Sequence, residues 1–240
     1  NALAASEPGT DETYTLDNTA PGVPAVTGVT DDTGTSGSDG ITSDQTLVFA
    51  GTAEADSTVE VFVDAGSIGT TPADGAGTWS FDHTGTPLAA GSYAVTATAT
   101  DAAGNASSAS AALTLEVDTA APVAPAAPNL DAASDTGSSD SDDLTNDQTA
   151  DLSGTAAANT TVEVFSDQDG SVGTATVDGA GDWSLTTATL SEATHDLTVV
   201  ATDAAGNASS ASAALTVEVD TISPAVPGTP DMTAGTDSGS

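Results

Sequence analysis

The sequence predicts an all-β protein made of tandem sandwiches, each about 100 residues long. Three observations carry this. The chain repeats itself at offsets of 101 to 104 residues; apolar and polar residues alternate instead of recurring at helical spacing; and turn residues separate the alternating runs.

The repeat is identical over its longest stretch. Thr100–Thr114 reads TDAAGNASSASAALT, and Thr202–Thr216 reads the same. Glu116–Thr119 (EVDT) returns as Glu218–Thr221, Asp44-Gln45-Thr46 as Asp147-Gln148-Thr149, and Gly51-Thr52-Ala53 as Gly154-Thr155-Ala156. Thr58–Phe62 (TVEVF) returns as Thr161–Phe165, and Gly75-Ala76-Gly77 with Trp79 returns as Gly179-Ala180-Gly181 with Trp183. The segments beginning at Asp17, Asp118 and Asp220 frame the period. The expected division is a tail of a preceding repeat (1–17), two full repeats (18–118 and 119–220), and the start of a following one (221–240), where Asp237-Ser238-Gly239 echoes Asp135-Thr136-Gly137. With no initiator Met or leader at Asn1, the sequence reads as a piece of a longer array.

Within the first repeat the predicted strands are A (23–29), B (46–50), C (58–63), D (67–72), E (78–82), F (92–100) and G (109–117). In C, Val59, Val61 and Val63 share a face; in F, Tyr93, Val95, Ala97 and Ala99 do; in G, Ala111, Leu113, Leu115 and Val117 do. The turns are Asp64-Ala65-Gly66, Asp74–Gly77 and Asp101–Asn105. Seven short strands in about 100 residues fit an immunoglobulin-like sandwich, and copies in series predict an elongated rod. The cysteine pair of antibody domains is missing, and Trp79 falls on E rather than C. Tyr93, at the start of F, suits a tyrosine corner; its counterpart is His195, read as a substitute. Trp79 and Trp183 read as sheet-packing residues and His83 as a loop residue.

Composition narrows the function. Asp and Glu number 36, Lys and Arg together zero, and the formal net charge is -36. Such a chain does not bind nucleic acid by neutralising phosphates, is not drawn to anionic membranes, and has no apolar run near the roughly 20 residues of a spanning helix. The absence of Cys excludes disulfides and thiolate zinc sites. Asp167-Gln168-Asp169-Gly170 starts like a calcium-binding helix–loop–helix motif but fails at Ser171 and Val172, leaving a turn between C and D. No Ser-His-Asp set is identifiable, and no pocket is evident that would tune a carboxylate as a general acid, so the chain reads as a non-enzyme. Asn105-Ala106-Ser107 and Asn207-Ala208-Ser209 match a glycosylation sequon but read as FG turns.

The acids recur at fixed places. In the predicted topology the AB loops carry Asp31, Asp32, Asp39 and Asp44, then Asp135, Asp140, Asp142, Asp143 and Asp147. The opposite pole carries Asp17, Glu54, Asp56, Asp74, Asp101 and Asn105 in the first repeat, and Asp178, Asp203 and Asn207 in the second; Asp118 lies between the repeats. Two carboxylates 4 Å apart repel by about 4 kcal/mol at an effective dielectric near 20. A cation between them removes that cost, and an all-oxygen donor set suits Ca2+. The plain alternative is a solvated acidic surface.

The DxTAP linkers, D-D/S-T-G loop, GTAE, TVEVF, DGxGxWS, TDAAGN and EVDT together resemble the bacterial immunoglobulin-like extender repeats of large, type I-secreted, repeats-in-toxin adhesins. The resemblance implies extracellular sandwiches on a Gram-negative cell surface, stiffened by Ca2+ at the joints, that project a distal adhesive domain whose ligand the sequence does not name. It implies linker ligands at Asp17, Asp118 and Asp220, FG-loop ligands at Asp101, Asn105, Asp203 and Asn207, and a further one at Glu54. Asp31, Asp32, Asp74, Asp135 and Asp178 complete the candidate set. The second repeat has Ala157 in place of Glu54, and Ser134-Asp135 in place of Asp31-Asp32. The implied partners are calcium ions and neighbouring repeats, with neither nucleic acid nor membrane insertion. The alternative expectation is that the repeats themselves bind a glycan, a partner cell or ice.

Overall fold

The computed structural model describes residues 16–229, which form sixteen strands and no helix. The echo expected at Asp237–Gly239 lies outside the described residues, as does most of the tail expected over 1–17. Two compact units are present. One runs through Val123 and takes in Thr202–Ser209; the other comprises Ala124–Ala201 and the residues from Ser210 on.

In the first repeat β1 (Ala25–Thr30), β3 (Val48–Thr52) and β6 (Thr78–Asp82) form one sheet in the order β1-β3-β6. The facing sheet has the order β2-β8-β7-β4-β5, from β2 (Ile41–Thr42), β4 (Thr58–Val63), β5 (Gly66–Pro72), β7 (Gly91–Thr100) and β8 (Leu113–Val117). The predicted alternation sets the core. Val59 pairs with Ala99 and Val61 with Ala97, and all four are fully buried. Val59, Val61 and Ala97 cluster with Leu47, Phe49, Ala73, Trp79, Val95, Leu115 and Val117.

The second repeat has the same plan. Its sheets are β9-β11-β14, from β9 (Asn129–Leu130), β11 (Asp151–Thr155) and β14 (Asp182–Thr186), and β10-β16-β15-β12-β13, from β10 (Leu144–Thr145), β12 (Thr161–Ser166), β13 (Gly170–Thr176), β15 (Thr194–Thr202) and β16 (Leu215–Val219). Its core gathers Leu152, Val162, Val164, Trp183, Leu190, Leu197, Val199 and Val217.

Three local features differ from the sequence expectation. First, each AB loop contains a two-residue strand, β2 or β10, paired parallel to strand G: Ile41 with Glu116, and Leu144 with Glu218. Two residues are too short for periodicity to reveal.

Second, strand G begins at Leu113 rather than at 109. The upstream serines replace the ladder. Ser110 N donates to Ala97 O, but Ala97 N donates to the Ser110 hydroxyl (3.0 Å) instead of to a backbone carbonyl. Ser107 does the same for Ala99 (2.9 Å), and Ser212 for Val199 (3.0 Å).

Third, the hairpin after strand C differs between repeats. Asp64 and Ala65 both have positive φ and close a two-residue turn between Val63 and Gly66. The second repeat uses Asp167-Gln168-Asp169 and then Gly170 at φ 76°, a three-residue loop. This extra residue is why the offset rises from 103 to 104 there.

Candidate functional site

In the first repeat Asp17, Glu54, Asp56 and Asp101 line one cleft of about 460 Å³. Asp101 ends strand F and closes the FG turn. Its Oδ1 accepts from Asn105 N (2.8 Å) and its Oδ2 from Asn105 Nδ2 (2.8 Å). These bonds, led by the one from the Asn105 side chain, hold its carboxyl below the usual carboxylate value. Asn105 Nδ2 also donates to the carbonyl of Asp17 (3.1 Å), tying the linker to the turn. Glu54 Oε2 accepts from Gly22 N (3.1 Å), a second tie to the same linker.

The same arrangement recurs around Asp118. Asp203 accepts from Asn207 N (2.9 Å) and Nδ2 (3.0 Å), and Asn207 Nδ2 donates to Asp118 O (2.9 Å). Here Ala157 stands at the Glu54 position and Asn159 at the Asp56 position. Asp56 and Asn159 share a left-handed backbone, φ 61° and 62°. Asp and Asn are the non-glycine residues that tolerate it, so a backbone requirement accounts for this position in both repeats.

Asp74 and Asp178 serve the turn before strand E. Asp74 Oδ1 accepts from Ala76 N (2.9 Å) and Thr78 N (2.8 Å), and Oδ2 accepts from the Thr78 hydroxyl (2.6 Å). The Thr78 hydroxyl leads the causes that lower its pKa. Asp178 Oδ1 accepts from Ala180 N (2.8 Å) and Asp182 N (2.9 Å), and its pKa is lowered first by the Asp182 amide.

The AB loops hold the remaining candidates. Asp31 has φ 66°, and its carbonyl accepts from the Thr42 hydroxyl (3.1 Å). Asp32 Oδ2 accepts from Gly40 N (3.1 Å), and Asp135 Oδ2 from Asp143 N (3.2 Å). The other oxygen of each, Asp32 Oδ1 and Asp135 Oδ1, is buried without a hydrogen-bond partner. Asp220 N donates to Thr145 O (2.9 Å), and Asp220 shares a cleft of about 170 Å³ with Thr136, Gly137 and Asn146 of the same loop.

Asp17, Glu54, Asp101 and Asn105 are therefore brought together, as are Asp118, Asp203 and Asn207. Asp74 and Asp178 are absorbed in turns. Among the described residues no three or more His, Cys, Asp or Glu side chains form a ready metal shell. The donors that are present fit Ca2+ in kind: oxygens alone, including two carboxylate oxygens for which the protein supplies no donor.

Beyond the sequence reading, which identified no Ser-His-Asp set, Ser166, His195 and Asp169 do meet. Ser166 Oγ lies 2.8 Å from His195 Nδ1, and Asp169 Oδ2 lies 3.6 Å from the same nitrogen. His195 is fully buried and Ser166 is 4% exposed. His195 Nε2 donates to Ser191 O (2.8 Å), so Nδ1 accepts from the Ser166 hydroxyl. The pair is a sealed corner with no room for a substrate. The signal was present in the sequence: Val63 and Tyr93 of the first repeat both turn polar in the second.

Among solved structures, a Ca2+-stabilized adhesin with which an Antarctic bacterium reaches out and binds ice is 27% identical over 85% of this chain and 51% of its own, with a TM-score of 0.40. A 1.5-MDa bacterial ice-binding adhesin is 26% identical over 82% of this chain and 65% of its own (TM-score 0.38). A biofilm-associated protein BSP domain is 23% identical over 85% of this chain, which spans 30% of that domain's chain (TM-score 0.31). Comparison with curated proteins finds no match. The profile of the bacterial Ig-like domain matches twice, over residues 19–119 and 122–221. With two such matches spanning most of its length, and a sandwich of the same plan in each, the chain belongs to the bacterial Ig-like domain family.

Proposed function

We propose that the chain is a spacer segment of a bacterial surface adhesin, and that Ca2+ held by its linker and loop carboxylates stiffens it. The supporting observation is the bond from the FG-turn Asn to the linker Asp carbonyl, made by Asn105 to Asp17 and by Asn207 to Asp118. In both copies the linker is held to a turn whose carboxylate, Asp101 or Asp203, is preset by its own Asn. An ion binding there supplies positive charge that this chain lacks, since it has no Lys or Arg. Asp17, Glu54, Asp101 and Asn105 would hold it in the first repeat, and Asp118, Asp203 and Asn207 in the second. The Pro-bearing linkers (Pro21, Pro24, Pro122, Pro125) remove further freedom.

The wider setting is extracellular. We infer secretion to the surface of a Gram-negative cell, where millimolar Ca2+ would stabilise the folded form over the unfolded one. Small-angle scattering in millimolar Ca2+ and then in chelator tests the mechanism. A particle that stiffens with Ca2+ supports it. A profile indifferent to Ca2+ reduces the acids to surface charge.

A further inference from the structure

We propose that the AB loop of the first repeat and the FG turn of the second form a latch that needs no metal, made by Thr33, Gly34 and Thr35 against Ala204, Ala205 and Gly206. The same turn in the first repeat, Ala102–Gly104, is then an open receiving site for the AB loop of a further repeat of this kind. Neither half of the proposal rests on the calcium reading above.

The two FG turns control for one another. Thr100–Thr114 and Thr202–Thr216 are identical in sequence. Their turns are also built alike. Asp101 accepts from the Asn105 amide and side chain, and Asp203 from those of Asn207. Gly104 and Gly206 hold φ 91° and 89°. Yet Ala205 is 1% exposed, whereas Ala103 is open to solvent. Sequence and local geometry being equal, the cover over Ala205 comes from elsewhere.

It comes from the AB loop of the first repeat, which lies in the same compact unit as Thr202–Ser209. Thr35 N donates to Ala204 O (3.2 Å), and Thr33 Oγ1 donates to Ala205 O (3.3 Å). Gly34 sits between these donors at φ 123°. A Cβ there would lie 2.0 Å from Ala204 O, and one at Gly206 would lie 3.1 Å from Gly34 Cα. The two backbones therefore approach as closely as glycine permits. Gly137 is the Gly34 counterpart in the second repeat. The nearest atoms to a Cβ on it belong to its own loop, and it has no positive φ.

The latch is read by backbone groups and small residues. Thr33 and Gly34 recur as Thr136 and Gly137, while Thr35 becomes Ser138, a change that leaves the amide donor in place. All the groups in contact are neutral, so neither salt nor chelator removes their attraction. Two hydrogen bonds and a covered alanine are too little to hold separate chains, whose specific interfaces bury about 1,000 Å² or more. Within one chain the linker makes docking intramolecular and supplies the effective concentration. The occupant of Ala102–Gly104 is therefore the AB loop of a repeat joined ahead of it.

The amide signals of Ala103 and Ala205 come from one sequence, so their difference reports the latch. In the 240-residue chain with chelator, at low and at high salt, the two signals should stand apart. G34A should move the Ala205 signal towards that of Ala103. Hydrogen exchange of the Thr35 amide should be about tenfold faster in G206A than in the parent. G104A puts the same strain on an identical turn, but its Cβ meets nothing within 4 Å. It should leave Thr35 exchange unchanged. Coincident Ala103 and Ala205 signals in the parent overturn the latch. So does equal Thr35 exchange in the parent, G206A and G104A, which also decides the matter if G34A fails to fold. Signals that separate only when Ca2+ is added overturn it too, and leave the joint to the ion. A latch present in chelator, with scattering indifferent to Ca2+, keeps this proposal and sinks the calcium mechanism. For the receiving site, residues 1–118 are followed by 18–240, which sets a second copy of the first repeat behind the Thr33 loop. Ala103 of that second copy should take up the Ala205 signal, and an unmoved signal overturns the receiving site.

Discussion

Tyr93 and His195 make the same hydrogen bond with different chemistry. Tyr93 Oη donates to Ala89 O, and His195 Nε2 donates to Ser191 O, each at 2.8 Å and each four residues back along the chain. The bond fastens the start of strand F to the loop before it. His195 needs a second partner for Nδ1 and finds it in Ser166, where the first repeat has Val63.

Losing the phenol in Tyr93→Phe removes one hydrogen bond, so urea unfolding should show a loss of about 1 kcal/mol. His195→Phe should cost about 1–3 kcal/mol, because the buried Ser166 hydroxyl also loses the acceptor for its proton, while still accepting from Gln168 N (3.1 Å) and Asp169 N (3.3 Å). Combining His195→Tyr with Ser166→Val restores the first-repeat pair and should return part of that stability, because the valine no longer accepts from the Gln168 and Asp169 amides. A double variant no better than His195→Phe would show that the corners are not equivalent.

Gly51 and Gly154 lie under the tryptophans. A Cβ at Gly51 would sit 2.4 Å from Trp79 Cζ2 and 2.0 Å from Ala25 O, and one at Gly154 would sit 2.7 Å from Trp183 Cζ2. Gly51→Ala should destabilise by about 1–3 kcal/mol through overpacking, and Gly154→Ala by less, since only the indole must move. Thermal melts, with tryptophan fluorescence as the readout of the displaced ring, check both.

Ala65 occupies a left-handed position, φ 64°, in the two-residue turn after strand C. Glycine adopts that backbone without a Cβ penalty. Ala65→Gly should therefore stabilise by up to about 1 kcal/mol, less the glycine's greater freedom when unfolded. The same change at Ala102, where no positive φ occurs, should give no gain.

Acid should destabilise the fold below about pH 4, near the ordinary Asp value of about 3.9. Asp74, Asp101, Asp147 and Asp178 all have folded-state values below the ordinary one, each held there by hydrogen bonds to the carboxylate. Their stabilisation is complete above the unfolded value and disappears as pH falls through the folded value. Asp143 works the other way: its raised value means that protonation relieves burial and repulsion as pH falls towards 4. Melting temperature followed in chelator from pH 7 to pH 3 should show the loss at the acid end. Asp74→Asn should make that loss shallower, and Asp143→Asn should remove the relief.

The sequence by itself determined the repeat, the all-β class and the buried faces, because these follow from local rules. Alternation at Val59, Val61, Val95, Ala97 and Ala99 reads directly as an inward face, and each is buried. Asp101 and Asn105 were legible as a turn, and the bond between them is local. Strand G was read too long because Ser107 and Ser110 satisfy strand F with hydroxyls, a substitution that hydrophobic patterning does not register. Only the tertiary structure decided the rest. Pairing β2 and β10 with strand G joins segments more than 70 residues apart. Asp17 meets Asn105 across 88 residues, and Ser166 meets His195 across 29. Whether a carboxylate is a turn acceptor, as at Asp74, or carries an unpaired oxygen, as at Asp135, depends on which donors and how much water the fold leaves beside it. Residue type and spacing are the same kind of signal in both cases, so the difference is made by burial.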